Sequence, residues 1–165
     1  MANYLNNTEL VNEKPKYARG LRNNNPGNLV RTSIGWQGKI PFTKSKDTKF
    51  EQFYELRYGL HALMRDIVSD IKKGQNNIIK LINEFAPGFE NNTPAYINSV
   101  VKSVGLAPNA LLILSEEQVT ALAKAIVRVE LGSKDAKLVL DSDYTAAMAL
   151  NADLKLKKKV TPPKL

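Results

Sequence analysis

The chain contains no cysteine and a single histidine, His61. Without cysteine, neither a disulfide framework nor a thiolate metal site can form. With His61 alone, a histidine zinc site or a Ser-His-Asp triad lacks its material. The setting of His61 in Gly59-Leu60-His61-Ala62-Leu63 reads as structural. No apolar run approaches the roughly 20 residues that cross a bilayer. The opening Met1-Ala2-Asn3-Tyr4-Leu5-Asn6-Asn7 lacks the basic-then-apolar order of a signal peptide, so synthesis in the cytoplasm without a membrane stage is expected. These absences leave carboxylates to run any hydrolytic chemistry, with no metal and no cofactor expected.

Charge of one sign is in excess. There are 24 basic and 16 acidic residues, a net charge of +8, and Lys155, Lys157, Lys158, Lys159 and Lys164 crowd the end of the chain. Such a balance favours anionic partners: nucleic acid, an anionic cell wall or an acidic protein surface. The alternative is a solvated tail that aids solubility. Nucleic acid is the least favoured partner, because no Gly-rich or aromatic ribonucleoprotein motif accompanies the charge.

A length of 165 residues suits one domain with a true core. Residues 1–18 are polar and Asn-rich and read as an N-terminal arm; 19–151 hold the domain, and 152–165 a basic C-terminal tail. From Arg19 to Asn28 the sequence Arg-Gly-Leu-Arg-Asn-Asn-Asn-Pro-Gly-Asn is a dense turn signal, with Pro26-Gly27 suited to the centre of a type II turn. Ile34 to Phe53 reads as a short hairpin or irregular loops.

The rest is helical by its three-to-four spacing of apolar residues. Leu60, Leu63, Met64, Ile67 and Ile71 form one stripe, ended by Gly74. Ile78, Ile79, Leu81, Ile82 and Phe85 form a second, stopped by Ala86-Pro87-Gly88. Thr93 is the expected N-cap of a third, with Pro94 at its first position and Gly105 beyond its end. Ser115 and Gln118 make a capping-box pattern before Val119, Leu122, Ala123, Ile126 and Val129. A weaker helix runs from about Asp143 to Asn151. The sum is a mainly α domain with a small loop or hairpin insert.

The helix that follows Ser115 carries the most informative residue. In Lys124-Ala125-Ile126-Val127-Arg128-Val129-Glu130-Leu131-Gly132 one acid closes an apolar run, two residues before a glycine stop. A carboxyl half in the core is disposed toward its protonated form, as general acid catalysis near neutral pH requires. The competing reading is a surface glutamate near a helix end. A second group, Glu90-Asn91-Asn92-Thr93-Pro94-Ala95-Tyr96, combines an acid, amides and a phenol of the kind that orient sugar hydroxyls and N-acetyl groups; alternatively Thr93 caps and Tyr96 packs. For Asn23-Asn24-Asn25 the alternative is turn chemistry, and for Trp36 a place in the core rather than a sugar-stacking platform.

These segments resemble a known family. Glu90 to Val100 is similar to the Glu-Thr-x-x-Tyr-Val-x-x-Val signature of Slt-type lytic transglycosylases. Arg19 to Asn28 resembles both their Gly-Leu-Met-Gln-Ile-x-Pro segment and the Asn-Asn-x-x-Gly-Ile-Lys motif of glucosaminidases. The apolar run ending in Glu130 resembles their catalytic-glutamate helix, which in the family comes first and here comes last. That order implies a circularly permuted lysozyme-like domain. The whole pattern also resembles a group of phage virion proteins with a lysozyme-like fold. Where the family has a small polar residue after the glutamate, this chain has Leu131.

The resemblance implies cleavage of the MurNAc-β-1,4-GlcNAc bond of peptidoglycan with Glu130 as the catalytic acid, by transglycosylation or hydrolysis. It further implies that Tyr96, Asn91 and Glu90 bind substrate and that Asn24 and Asn25 line the opposite cleft wall. A hydrolase would want a second carboxylate, for which Glu90, Glu51 and Asp47 are candidates. Lacking a signal peptide, the enzyme would be carried by a phage particle or tail-like injection device, docked through the arm and the Lys-rich tail. The competing class is a catalytically inactive structural component of the virion.

Overall fold

The computed structural model describes residues 3–88 and 92–160. The frame is set by two long amphipathic helices. Helix α2 (Leu56–Lys72) buries Leu60, Leu63, Met64 and Ile67 completely, the spacing its sequence stripe predicts. Helix α5 (Glu116–Leu131) likewise buries Val119, Leu122, Ala123 and Ile126. They pack on each other; α7 (Asp141–Leu150) lies against α2, and α4 (Thr93–Val104) against α5. Helix α3 (Ile78–Phe85) joins α2 to α4, while two single-turn helices, α1 (Arg19–Arg22) and α6 (Ser133–Ala136), pack on α5. The fold is mainly α.

The helix ends follow local chemistry. Ser115 Oγ accepts from the Gln118 amide, as the capping pattern predicts. The first turn of α5 is further satisfied from the tail: Glu116 and Glu117 N–H groups donate to the Lys157 and Lys158 carbonyls at 2.7 and 3.0 Å. Gly105 ends α4 with a left-handed φ of 76°. Gly132 ends α5 at φ 83°, ψ 158°, a region open in practice only to glycine. At α4 the expected cap shifts by one residue. Asn92 accepts from the Ala95 amide, and the buried Thr93 hydroxyl instead donates to the Ala86 carbonyl, tying α4 to the end of α3.

One local expectation is corrected, and one left open between two forms is resolved. Gly27 is not at positive φ, so Pro26-Gly27 is not a type II turn; the left-handed residues of that block are Asn24 and Asn28, both at φ 50°. Asn28 N–H closes the turn on the Asn25 carbonyl at 2.9 Å, and Gly27 is small because a Cβ there would meet the Leu63 side chain at 2.8 Å. The insert from Ile34 to Phe53 is irregular, held by isolated bridges between Val30 and Phe50 and between Lys39 and Phe53. The two-stranded hairpin found among the described residues lies instead in the N-terminal arm. There β1 (Leu10–Val11) pairs with β2 (Lys14–Pro15) around Asn12 and Glu13, both left-handed as a tight hairpin turn requires.

Candidate active site

Ile126 and Glu130 stand one helical turn apart on α5, so the fully buried Ile126 fixes the direction in which Glu130 points. Glu130 is half-buried. Its Oε2 accepts from the Tyr96 hydroxyl at 2.7 Å, and its Oε1 accepts from Asn28 Nδ2 at 2.9 Å. Each partner comes from a different element. Tyr96 sits in the first turns of α4, buried by the packing of α4 on α5. Asn28 ends the turn block that follows α1. The backbone can approach there because Gly20 has no side chain: a Cβ on it would lie 2.9 Å from Asn28 Oδ1 and 2.6 Å from a Leu131 methyl.

The electrostatics are consistent with this arrangement. Burial, and then the Glu130 carboxylate, hold the Tyr96 phenol far above its ordinary range, so it stays a neutral hydroxyl. A hydroxyl can both donate and accept, whereas the Nδ2 of an amide only donates. The site therefore holds one carboxyl between a fixed donor and a reversible one.

Asn28 also lines a cavity of about 210 Å³, whose other wall carries Asp66 and Asp70 of α2 and Glu84 of α3. Burial pushes the Asp70 carboxyl up to about 6, with Asp66 and Glu84 adding to the effect; burial also raises Asp66. A larger cavity of about 680 Å³ lies between α5 and α7, away from Glu130.

Among the residues singled out from sequence, the structure brings Glu130 and Tyr96 together. Asn24 and Asn25 do not line a cleft wall. Both are fully buried, and their amides brace the insert: Asn24 Nδ2 donates to the Phe53 carbonyl and Asn3 Oδ1. Asn25 Nδ2 donates to the Leu29 and Glu51 carbonyls while its Oδ1 accepts from the Leu29 amide. Glu90 and Asn91 lie outside the described residues.

Two of the candidate second carboxylates are already engaged. Glu51 is fully buried, with Lys39 Nζ 2.9 Å from its Oε2. Asp47 receives Arg19 Nε at 2.7 Å and Asn23 Nδ2 at 2.9 Å. Burial works to raise the Asp47 carboxyl, but Arg19, the Phe50 and Lys49 amides and Asn23 outweigh it and hold the group well below the usual carboxylate range. His61 is buried in α2; burial and then the Arg65 charge lower its imidazole, consistent with a structural place. Trp36 packs, half-buried, against the core.

Sequence reasoning missed Asn28, although the residue closes the Asn-Asn-Asn-Pro-Gly-Asn block. The available signal was its position after a glycine in a tight turn, where Asn tolerates left-handed angles. It also missed Asp66 and Asp70, whose four-residue spacing puts them on one face of α2.

The chain is similar to Protein P5 of Pseudoalteromonas phage PM2, at 36% identity over 120 residues, which span 70% of this chain and 72% of that protein. It belongs to the family of that phage protein. No family model matches the chain. Among the described residues of this family member, no helix is long and apolar enough to cross a membrane, and no group of three or more His, Cys, Asp or Glu is placed to hold a metal ion.

Proposed function

We propose that this chain is a peptidoglycan-cleaving enzyme with a lysozyme-like, circularly permuted domain, carried in a phage particle, that breaks the MurNAc-β-1,4-GlcNAc bond with Glu130 as acid. The observation that carries the reading is the half-buried Glu130 with each oxygen held by a separate, sequence-distant donor, Tyr96 and Asn28. A carboxyl fixed in this way is pre-oriented toward a bond to be protonated.

In the transglycosylase form of the reaction, Glu130 donates its proton to the glycosidic oxygen as the C1–O bond breaks, and the bonding pair leaves with that oxygen. The C6 hydroxyl of the muramic acid then attacks C1, closing a 1,6-anhydro ring, and its proton returns to Glu130. No water is consumed. This form is favoured because, of the candidate second carboxylates among the described residues, Glu51 and Asp47 are committed to Lys39 and Arg19 and neither is free to activate water.

Family membership in a phage protein supports carriage by a virion, where the arm and the Lys-rich tail would meet neighbouring proteins. The second reading is a structural virion component without catalysis. It is favoured by Leu131, an apolar side chain buried against the place of Gly20 where the resemblance leads one to expect a small polar residue. Zymography of the purified chain on peptidoglycan separates the two: a cleared band lost in Glu130→Gln supports the enzyme, and no clearing by either protein supports the structural component.

A further inference from the structure

We infer that Asn28 is a positioning residue that favours Oε2, the oxygen facing Tyr96, as the seat of the acid proton of Glu130. The inference rests on the reading of Glu130 as the acid.

Asn28 Nδ2 carries only hydrogens, so the Oε1 it contacts at 2.9 Å must remain an acceptor. A proton on Oε1 would turn it into a hydroxyl oxygen, a poorer acceptor, and weaken the contact. On Oε2 the partner is the Tyr96 hydroxyl at 2.7 Å, which donates to the carboxylate and turns to accept from the acid. Protonation at Oε2 therefore keeps both hydrogen bonds at full strength, whereas protonation at Oε1 weakens one of them. The opposite orientation of the Asn28 amide would set its carbonyl lone pairs against those of an ionised Glu130.

The backbone supports this role. Asn28 holds a left-handed φ of 50°, pinned by its N–H bond to Asn25, and its Oδ1 is buried without a hydrogen-bond partner beside Gly20. An amide oxygen left unsatisfied in the protein interior carries a free-energy cost. That cost is accounted for if the other end of the same amide is needed on Glu130.

The direct test is side-chain amide ¹⁵N NMR of the full chain. The Asn28 NH₂ signals are expected to titrate with pH, and that titration is expected to vanish in Glu130→Gln. Asp66, Asp70 and Glu84 share a cavity with Asn28, and the Glu130→Gln spectrum separates their effect from that of Glu130. Asn28 signals that ignore both pH and Glu130→Gln would overturn the proposal, whether or not the protein lyses peptidoglycan.

The kinetic arm uses Asn28→Gly, which keeps the left-handed backbone. Its kcat is expected to fall about 100-fold with KM unchanged. Unchanged kcat would overturn the positioning role. Full activity in Glu130→Gln would instead overturn the assignment of the acid, so the two failures are distinct.

Discussion

The Tyr96 hydroxyl donates to Glu130 Oε2 at 2.7 Å across the interface of α4 and α5, joining the two residues whose sequence settings first suggested chemistry. Thirty-four positions separate them, and the packing of α4 on α5 closes the gap. Tyr96→Phe keeps the ring and removes the hydroxyl. Stability should change by about 1 kcal/mol, since one hydrogen bond is lost and one carboxyl oxygen is left with solvent. Lytic activity should fall by about 10- to 100-fold with little change in KM, as read by turbidity clearance of cell walls alongside thermal unfolding.

Asn25 makes the opposite prediction. Asn25→Asp sets a carboxylate against the Leu29 and Glu51 carbonyls, which now accept from its amide. Breaking a buried network in this way should cost about 3 kcal/mol. At roughly 2–4 °C per kcal/mol for a chain of this size, Tm should fall by roughly 10 °C. Whatever fraction stays folded should keep its KM, because Asn25 reaches no substrate. A variant as stable as the parent with a raised KM would return Asn25 to the cleft wall.

Gly59 should be equally intolerant, for a steric reason. It lies where α2 crosses the turn block, and a Cβ there would fall inside contact distance of the Asn24 carbonyl oxygen. In most helices Gly→Ala is stabilising. Here Gly59→Ala should destabilise by about 3 kcal/mol, because backbone on both sides must move; chemical denaturation measures it.

Stability should pass through a maximum with pH. Asp70 is raised to about 6 in the folded chain, above its unfolded value of about 4. Between those values the folded state binds more protons, so stability falls as pH rises from about 4 to about 6. Asp47 is shifted the other way, so its contribution is present above about 4 and is lost as pH falls below it. Tm measured across this range should peak between the two limbs, and Asp70→Asn should shrink the upper limb to the part carried by Asp66 while leaving the acid one. An Asp70→Asn profile matching the parent would place the upper limb on another group.

The helical frame was legible in the sequence because it rests on one signal, the spacing of apolar residues, which α2 and α5 display without interruption. Glu130 was legible for the same reason: an acid that breaks an apolar stripe at its end is visible in one dimension. Asn23, Asn24 and Asn25 were legible as a turn but not in their use. Asparagine binds backbone and sugar with the same amide, and only burial tells which partner it has. Asn28 was hidden because its importance depends on Gly20 and Leu131, distant in sequence, opening a space that fits one amide. The arm hairpin was masked by a polar composition that resembles linker, since a two-residue strand has too few positions to show alternation.

Mass spectrometry of purified peptidoglycan, digested in parallel by the parent chain and by Glu130→Gln, reads both the reaction type and the identity of the acid. The variant suits the comparison because its amide can keep both contacts, accepting from Asn28 and donating to Tyr96, so its fold should be unchanged. The assignment of Glu130 as the acid of a transglycosylase predicts 1,6-anhydro-muropeptides from the parent and none from Glu130→Gln. Muropeptide release by Glu130→Gln at the parent's rate, or no product from the parent chain, would contradict it.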